Sequence, residues 1–209
     1  MTQATGSATT AAAAPDFSRL PIFPLGTVLF PGGALPLRVF EARYVDMTRE
    51  CMKNGSPFGV CLIKEGTEVG APAVPHTTGC LAEIRDWDMQ QLGVLSIQTR
   101  GTMRFRILET SAAPDGLIRA RAEPIETDAP ASIRAEFSQL RAILRDIIPK
   151  VPAELIPEPH LFEDAIWLSN RLSELMPVPA LAKQKLMELE DADMRLEIIY
   201  RFLGQQGLK

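Results

Sequence analysis

His76 and His160 are the only histidines among the 209 residues, and so the only side chains that ordinarily titrate near neutrality. His76 sits in Pro75-His76-Thr77, read as a loop, and His160 follows Pro159 at an expected helix start. A G-x-S-x-G nucleophile elbow is missing, because Gly55-Ser56-Pro57-Phe58-Gly59 carries its serine one place early. His76 and Cys80 are spaced i, i+4, with Cys61 and Cys51 upstream, and a Cys₃His zinc set can be drawn from them. Structural zinc sites usually supply closely paired ligands, and this chain has only that one pair. The plainer reading makes Cys61, inside FGVCLI, and Cys51, on a helix, small buried hydrophobes. Glu83, Asp86 and Asp88 surround Arg85 and Trp87, a grouping able to move protons or hold a cation. The plainer reading, preferred here, is the solvated hairpin end DWDMQQLG. Trp87 either caps a core or faces a partner. No G-x-x-x-x-G-K-[ST] is present to cradle a nucleotide phosphate. The chemistry therefore points away from catalysis, and no cofactor or metal is expected.

The charges say something similar about nucleic acid. Residues 1–125 hold 12 basic and 12 acidic side chains, and residues 126–209 hold 10 and 14, so the net charge of −4 belongs to the second part. Counterion release needs a basic excess, and neither part has one. Arg100, Arg104, Arg106, Arg119 and Arg121 lie on neighbouring candidate strands and would form a basic patch if they shared a face. Interleaved acids point instead to ordinary surface pairing. Arg38 and Arg43 flank Glu41, a local ion-pair arrangement. The three cysteines are odd in number and form no C-x-x-C, which suits reduced thiols in the cytoplasm. No apolar run approaches the roughly 18 residues a membrane span requires.

The elements that must position these residues change character near Pro124. Before it, short apolar runs and alternations bounded by turn formers indicate strands. FGVCLI (58–63) is a strand covered on both faces. Leu95, Ile97 and Thr99 point one way, and Met103, Phe105 and Ile107 are expected inward, with Arg104 and Arg106 outward. Pro114-Asp115-Gly116 is a turn before the alternating Leu117–Ala122. After Pro124 the period is helical. Ile133, Phe137, Leu140, Leu144 and Ile147 make one stripe, and further helices are expected over Leu161–Met176 and from Pro179 to Leu189. Asp191 can cap a last helix in which Met194, Ile198 and Phe202 share the inner face and which Gly204 ends. Residues 1–16, rich in Ala and Thr, read as a disordered tail.

Residues 20–44, LPIFPLGTVLFPGGALPLRVFEARY, are very apolar yet cut by four prolines and three glycines. Proline is tolerated at strand starts, edges and bulges. Residues 20–25 and 27–30 are therefore expected as bent strand pieces, with Pro36-Leu37 opening another. Phe40–Met52 reads as a helix with Phe40, Tyr44 or Val45, and Met47 or Thr48 inward.

This stretch is similar to the "LPLFPL…V.FPG..LPL.IFE.RY" opening of the amino-terminal substrate-binding domain of Lon proteases. Three further segments resemble that family in order: Thr78–Ile84, Arg100–Ile107, and the helical stretch with Lys183–Glu188 and Arg195-Leu196. The resemblance covers roughly residues 18–203. It implies an α+β fold: a PUA-like, mostly antiparallel β-barrel with an embedded helix (17–125), then a C-terminal helical bundle (126–209). It also implies a free-standing, non-enzymatic module that recognises unfolded or peptide segments of proteins, without ATPase or peptidase parts. An RNA-binding barrel and, behind it, a small-molecule hydrolase are the alternatives. The candidate partner contacts are Arg38, Tyr44, Trp87 and Arg104.

Overall fold

Inward side chains of five strands form one buried cluster that includes Phe105, and the architecture follows from how they are brought together. A computed structural model describes residues 5–7, 14–91, 93–126 and 131–207. Its strands are β1 (Thr5–Ser7), β2 (Leu20–Leu25), β3 (Ala34–Val39), β4 (Phe58–Glu65), β5 (Val74–Gln91), β6 (Val94–Ala112) and β7 (Ile118–Pro124), with helix α1 (Ala42–Asn54) between β3 and β4. β2 pairs with β4 in parallel and with β7 antiparallel. β4–β5, β5–β6 and β6–β7 are antiparallel. The pairings thus run β2, β4, β5, β6, β7 and back to β2, a closed ring of strands. Its interior holds Leu20, Ile22, Cys61, Leu81, Phe105, Ile107, Ile118, Ala120 and Ala122. Space there is tight: a Cβ at Gly59 or Gly79 would lie 2.6 Å from the Phe105 ring. Those two positions must lack side chains for the ring to close around one phenylalanine.

Among the described residues β3 pairs only with β6, and so forms an edge. Pro36 sits in it, where a missing N–H is tolerated. Most of the expected N-terminal tail, residues 1–16, lies outside the described residues, but Thr5–Ser7 pair antiparallel with Asp86–Asp88.

Helices α2 (Ser138–Ile147), α3 (Ala165–Leu175), α4 (Ala180–Glu188) and α5 (Ala192–Gln205) follow the strands. Their buried side chains, with those of α1 and the outer face of the ring, make one larger core that includes Phe30, Tyr44, Phe58, Leu140, Leu168 and Leu196. The caps follow from residue type. Asp164 accepts from the N–H of Ile166 at 2.8 Å and of Trp167 at 3.3 Å. Asp191 accepts from those of Asp193 and Met194 at 2.8 and 3.4 Å. Such caps satisfy N–H groups that the first turn leaves unpaired.

Several expectations are corrected. Residues 27–30 are not a strand; Val28, Leu29 and Phe30 are buried in coil. The chain is held there by Gly32 N–H to Gly101 O and Gly101 N–H to Gly33 O, both 2.8 Å. Phe40 does not face inward, because α1 starts two residues later and leaves it 57% exposed. His76 lies within β5 rather than a loop. His160 precedes α3 by several residues, with Nε2 3.1 Å from Ile156 O, because that helix starts at Ala165. Ile133 precedes α2, which opens after a 3₁₀ turn at Ala135–Phe137. On β6, Cys80 pairs with Arg104 while Ala82 pairs with Gly101, so β6 carries one extra residue. That bulge breaks the alternation. Met103 is turned out, and Arg104 and Phe105 are buried in succession. On α5 the inner face is Ala192, Arg195, Leu196, Ile199 and Leu203; Met194 and Ile198 are exposed, and the helix passes through Gly204.

Candidate functional site

The strand-to-helix corner after β3 shapes a small cleft. Phe23, Leu25, Leu37, Val39, Phe40 and Tyr44 line it on one side, and Val69 and Glu68 come from the turn after β4. Its volume is about 170 Å³. Tyr44 stacks on Phe23, with ring centroids 4.0 Å apart and planes 12° from parallel. The guanidinium of Arg43 lies 4.8 Å from the centroid of the Tyr44 ring and 2.9 Å from Glu41. Burial raises the Tyr44 hydroxyl above its usual pKa. These contacts pack Tyr44 into the cleft floor. Its walls are not covered: Phe40 is 57% and Val69 55% exposed.

Of the four candidate contacts, the structure brings Arg38 and Tyr44 together. Both line this cleft, Arg38 exposed at its rim and Tyr44 buried beneath it. Trp87 is half-buried on β5 opposite Ile97 and packs against the larger core. Arg104 faces inward at 5% exposure and donates to the carbonyls of Met187 at 2.8 Å and Leu189 at 2.6 Å. It ties the strand ring to the end of α4, which answers the sequence expectation of an outward guanidinium.

Phe40 and Val69 were missed as wall residues. The signal for Val69 lies in the sequence: it is one apolar side chain inside the polar turn Glu65–Gly70. Phe40 drew the wrong assignment because its spacing to Tyr44 matches a helix that starts only after it.

Arg104 has company at the junction. Arg171 on α3 is fully buried, donates to Pro31 O at 2.7 Å and pairs with Glu174 at 3.2 Å. Burial pushes the Glu174 carboxyl up to about 7, against the pull of Arg171, the Phe30 N–H and Lys183. Gln184 donates to Thr78 O at 3.0 Å. Polar side chains of the helices thus take carbonyls of the ring and of the Pro31-Gly32-Gly33 loop.

The other arginines of the candidate basic face are mostly matched. Arg106 meets Glu123 and Glu190 at 3.3 and 3.4 Å, Arg119 meets Glu50 at 3.3 Å, and Arg121 meets Glu109 at 2.8 Å. A second, more open hollow of about 710 Å³ includes His76, Arg106, Lys185 and Glu188. Among the described residues, no three His, Cys, Asp or Glu side chains are placed to hold a metal ion. Cys51, Cys61 and Cys80 are free and buried. Burial pushes the Cys51 thiol up to about 11 and Cys80 up to about 12, far from a reactive thiolate. Among the described residues, no helix is long and apolar enough to cross a membrane.

This arrangement matches a known family. The model of the ATP-dependent protease La (LON) substrate-binding domain matches residues 19–205. The chain belongs to that family. It is 26% identical over 197 residues to Lon protease 2 of Myxococcus xanthus, covering 90% of this chain and 24% of that protein. It is 28% identical over 194 residues to Lon protease of Parabacteroides distasonis, covering 88% and 23%. The chain spans about a quarter of the length of these curated Lon proteases. The crystal structure of a Lon N-terminal domain protein from Xanthomonas campestris is 35% identical with a TM-score of 0.74, covering 88% of this chain and 97% of that one. The N-terminal domain of a Mycobacterium avium complex Lon protease shares the fold, with a TM-score of 0.62 at 18% identity over 89% and 98% of the two chains. The Lon substrate-binding family is therefore shared by sequence and by architecture.

Proposed function

We propose that this Lon-family domain is a non-enzymatic module that recognises unfolded or peptide segments of proteins by seating an apolar side chain in the cleft beside β3. In this reading the ring of strands is the PUA-like barrel of residues 17–125, with α1 embedded, and residues 126–209 are a helical bundle packed on it. The buried free thiols fit a reducing compartment such as the cytoplasm.

One observation supports the reading most. Phe40 and Val69, both more than half exposed, flank a cleft whose floor is Phe23, Leu37 and Tyr44. Large side chains left in water around an apolar depression mark an interaction surface. Burying one leucine or phenylalanine side chain yields roughly 1.5–3 kcal/mol. Such an affinity is weak per site and suits transient recognition of many sequences. Strand addition along β3 is the poorer route, because Pro36 interrupts the donors on that edge. The RNA-binding alternative is weakened by the ion pairs of Arg106, Arg119 and Arg121. The hydrolase alternative draws no nucleophile–base pair from the cleft lining.

The test is fluorescence anisotropy with a labelled, reduced and carboxymethylated protein that cannot refold. Weak binding in the millimolar range is expected, since one unfolded chain offers many such side chains, and Phe40→Ser and Val69→Ser should each weaken it about three- to tenfold without shifting the melting temperature. Undiminished binding by the double variant would remove the cleft from the reading.

A further inference from the structure

The charged groups around the cleft are not equally occupied. Glu41 is held by Arg43 at 2.9 Å. Glu68 accepts from the backbone N–H of Gly26 at 2.6 Å. Both carboxylates that border the cleft are therefore engaged within the protein. Arg38 differs: it is exposed on the edge strand, lines the same cleft, and makes no hydrogen bond or ion pair among the described residues. An unengaged guanidinium beside an apolar seat offers up to five donors in a fork that matches a carboxylate.

The seat also has a definite capacity. Its volume of about 170 Å³ is close to the roughly 150 Å³ of an apolar cavity that takes up one benzene ring. It holds one aromatic or leucine-sized side chain, not a length of polypeptide. In an extended segment, second neighbours lie on the same face about 7 Å apart, a span that a long arginine side chain can bridge.

We infer that the cleft reads a two-part signal: an aromatic or leucine side chain seated between Phe40 and Val69, and an Asp or Glu two residues away paired with Arg38. This rests on the recognition function proposed above and narrows its substrates to segments in which an acidic residue neighbours an apolar one. The apolar part supplies most of the affinity, while the ion pair discriminates. A partner with lysine at that position meets Arg38 as a like charge and is disfavoured.

The experiment uses the whole chain and two end-blocked peptides, so that no terminal carboxylate competes. Each peptide carries one phenylalanine in a Gly/Ser background; the second neighbours on both sides are Asp in one peptide and Asn in the other. At low ionic strength the wild-type protein should bind the Asp peptide roughly two- to fivefold tighter. The preference should vanish in Arg38→Gln, invert toward the Asn peptide in Arg38→Glu, and shrink at about 0.5 M salt. Unchanged melting temperatures check that these exposed-site variants fold. Equal binding of the Asp and Asn peptides by wild type, or a preference that survives in Arg38→Gln, overturns the inference and leaves the recognition function standing. Failure of both peptides to bind, with Phe→Ser versions equally inert, overturns the two together.

Discussion

Replacing Arg104 by methionine tests whether the helices are locked to the strand ring by buried polar contacts. The substitution keeps an unbranched apolar side chain about as long as the arginine stem and removes the guanidinium. Arg104 is 5% exposed and donates to Met187 O at 2.8 Å and Leu189 O at 2.6 Å. Leu189 O also accepts from Arg195, so it stays partnered in the variant. Met187 O loses the guanidinium and is left in a buried setting. A hydrogen bond to a charged group contributes about 1.5–3 kcal/mol, and an orphaned buried acceptor costs about 1–3 kcal/mol. The relief of no longer burying a charge offsets part of this. The expected net loss is about 3 kcal/mol, or roughly 6–12 °C in melting temperature for a chain of this size. Arg106→Met is the control two residues away. Its guanidinium is exposed, pairs with Glu123 and Glu190 at 3.3 and 3.4 Å, and should lose less than about 1 kcal/mol. Urea unfolding followed by far-ultraviolet circular dichroism and by tryptophan fluorescence measures both. Trp167 on α3 and Trp87 on β5 then report from the two parts. If Arg104→Met unfolds like Arg106→Met, the junction does not depend on this clamp and the reasoning fails.

Three other outcomes follow from the same packing. A Cβ at Gly101 would stand 2.2 Å from Phe30 O, so Gly101→Ala should lose about 2–3 kcal/mol and lower the thermal midpoint accordingly. Glu174 has its carboxyl raised from an ordinary 4.5 to about 7 by burial, so between those values the folded chain keeps a proton that the unfolded chain has released. Its contribution to stability therefore falls as pH rises through that window, and urea midpoints taken between pH 5 and pH 8 should show a downward component that Glu174→Gln removes. An upward trend attributable to Glu174 would contradict the burial of its carboxylate. The thiols of Cys51, Cys61 and Cys80 are all buried and raised in pKa, so a thiol reagent near pH 8 should label none of them in the folded protein and all three after urea is added.

Much of the fold was legible because its causes are local. The strands Leu20–Leu25, Phe58–Glu65 and Ile118–Pro124 fall where short apolar runs and turn residues placed them. The cap at Asp191 and the helix following Pro179 likewise needed only neighbouring residues. The cleft was only half legible. Arg38 and Tyr44 could be named from the sequence, but Val69, although a lone apolar residue in a polar turn, joins them from beyond β4, and nothing local says which surface it meets. Trp87 and Arg104 could not be placed relative to the others for the same reason.

The sequence alone determined that this chain is a strand-rich part followed by helices, that proline and glycine prevent residues 20–44 from forming one long element, and that the order of motifs is that of the Lon substrate-binding family. The first two of those properties follow from backbone restrictions and from side-chain periodicity, which act over a few residues, while the third rests on the resemblance of the motifs themselves. Only the tertiary structure decided which faces are inside. The extra residue in β6 turns Arg104 inward and Met103 outward, and α5 buries Leu196 and Ile199 rather than Met194 and Ile198. Both choices depend on what lies opposite in space. A helix apolar on two sides, or a strand with one residue inserted, has no preferred face until its partner is present.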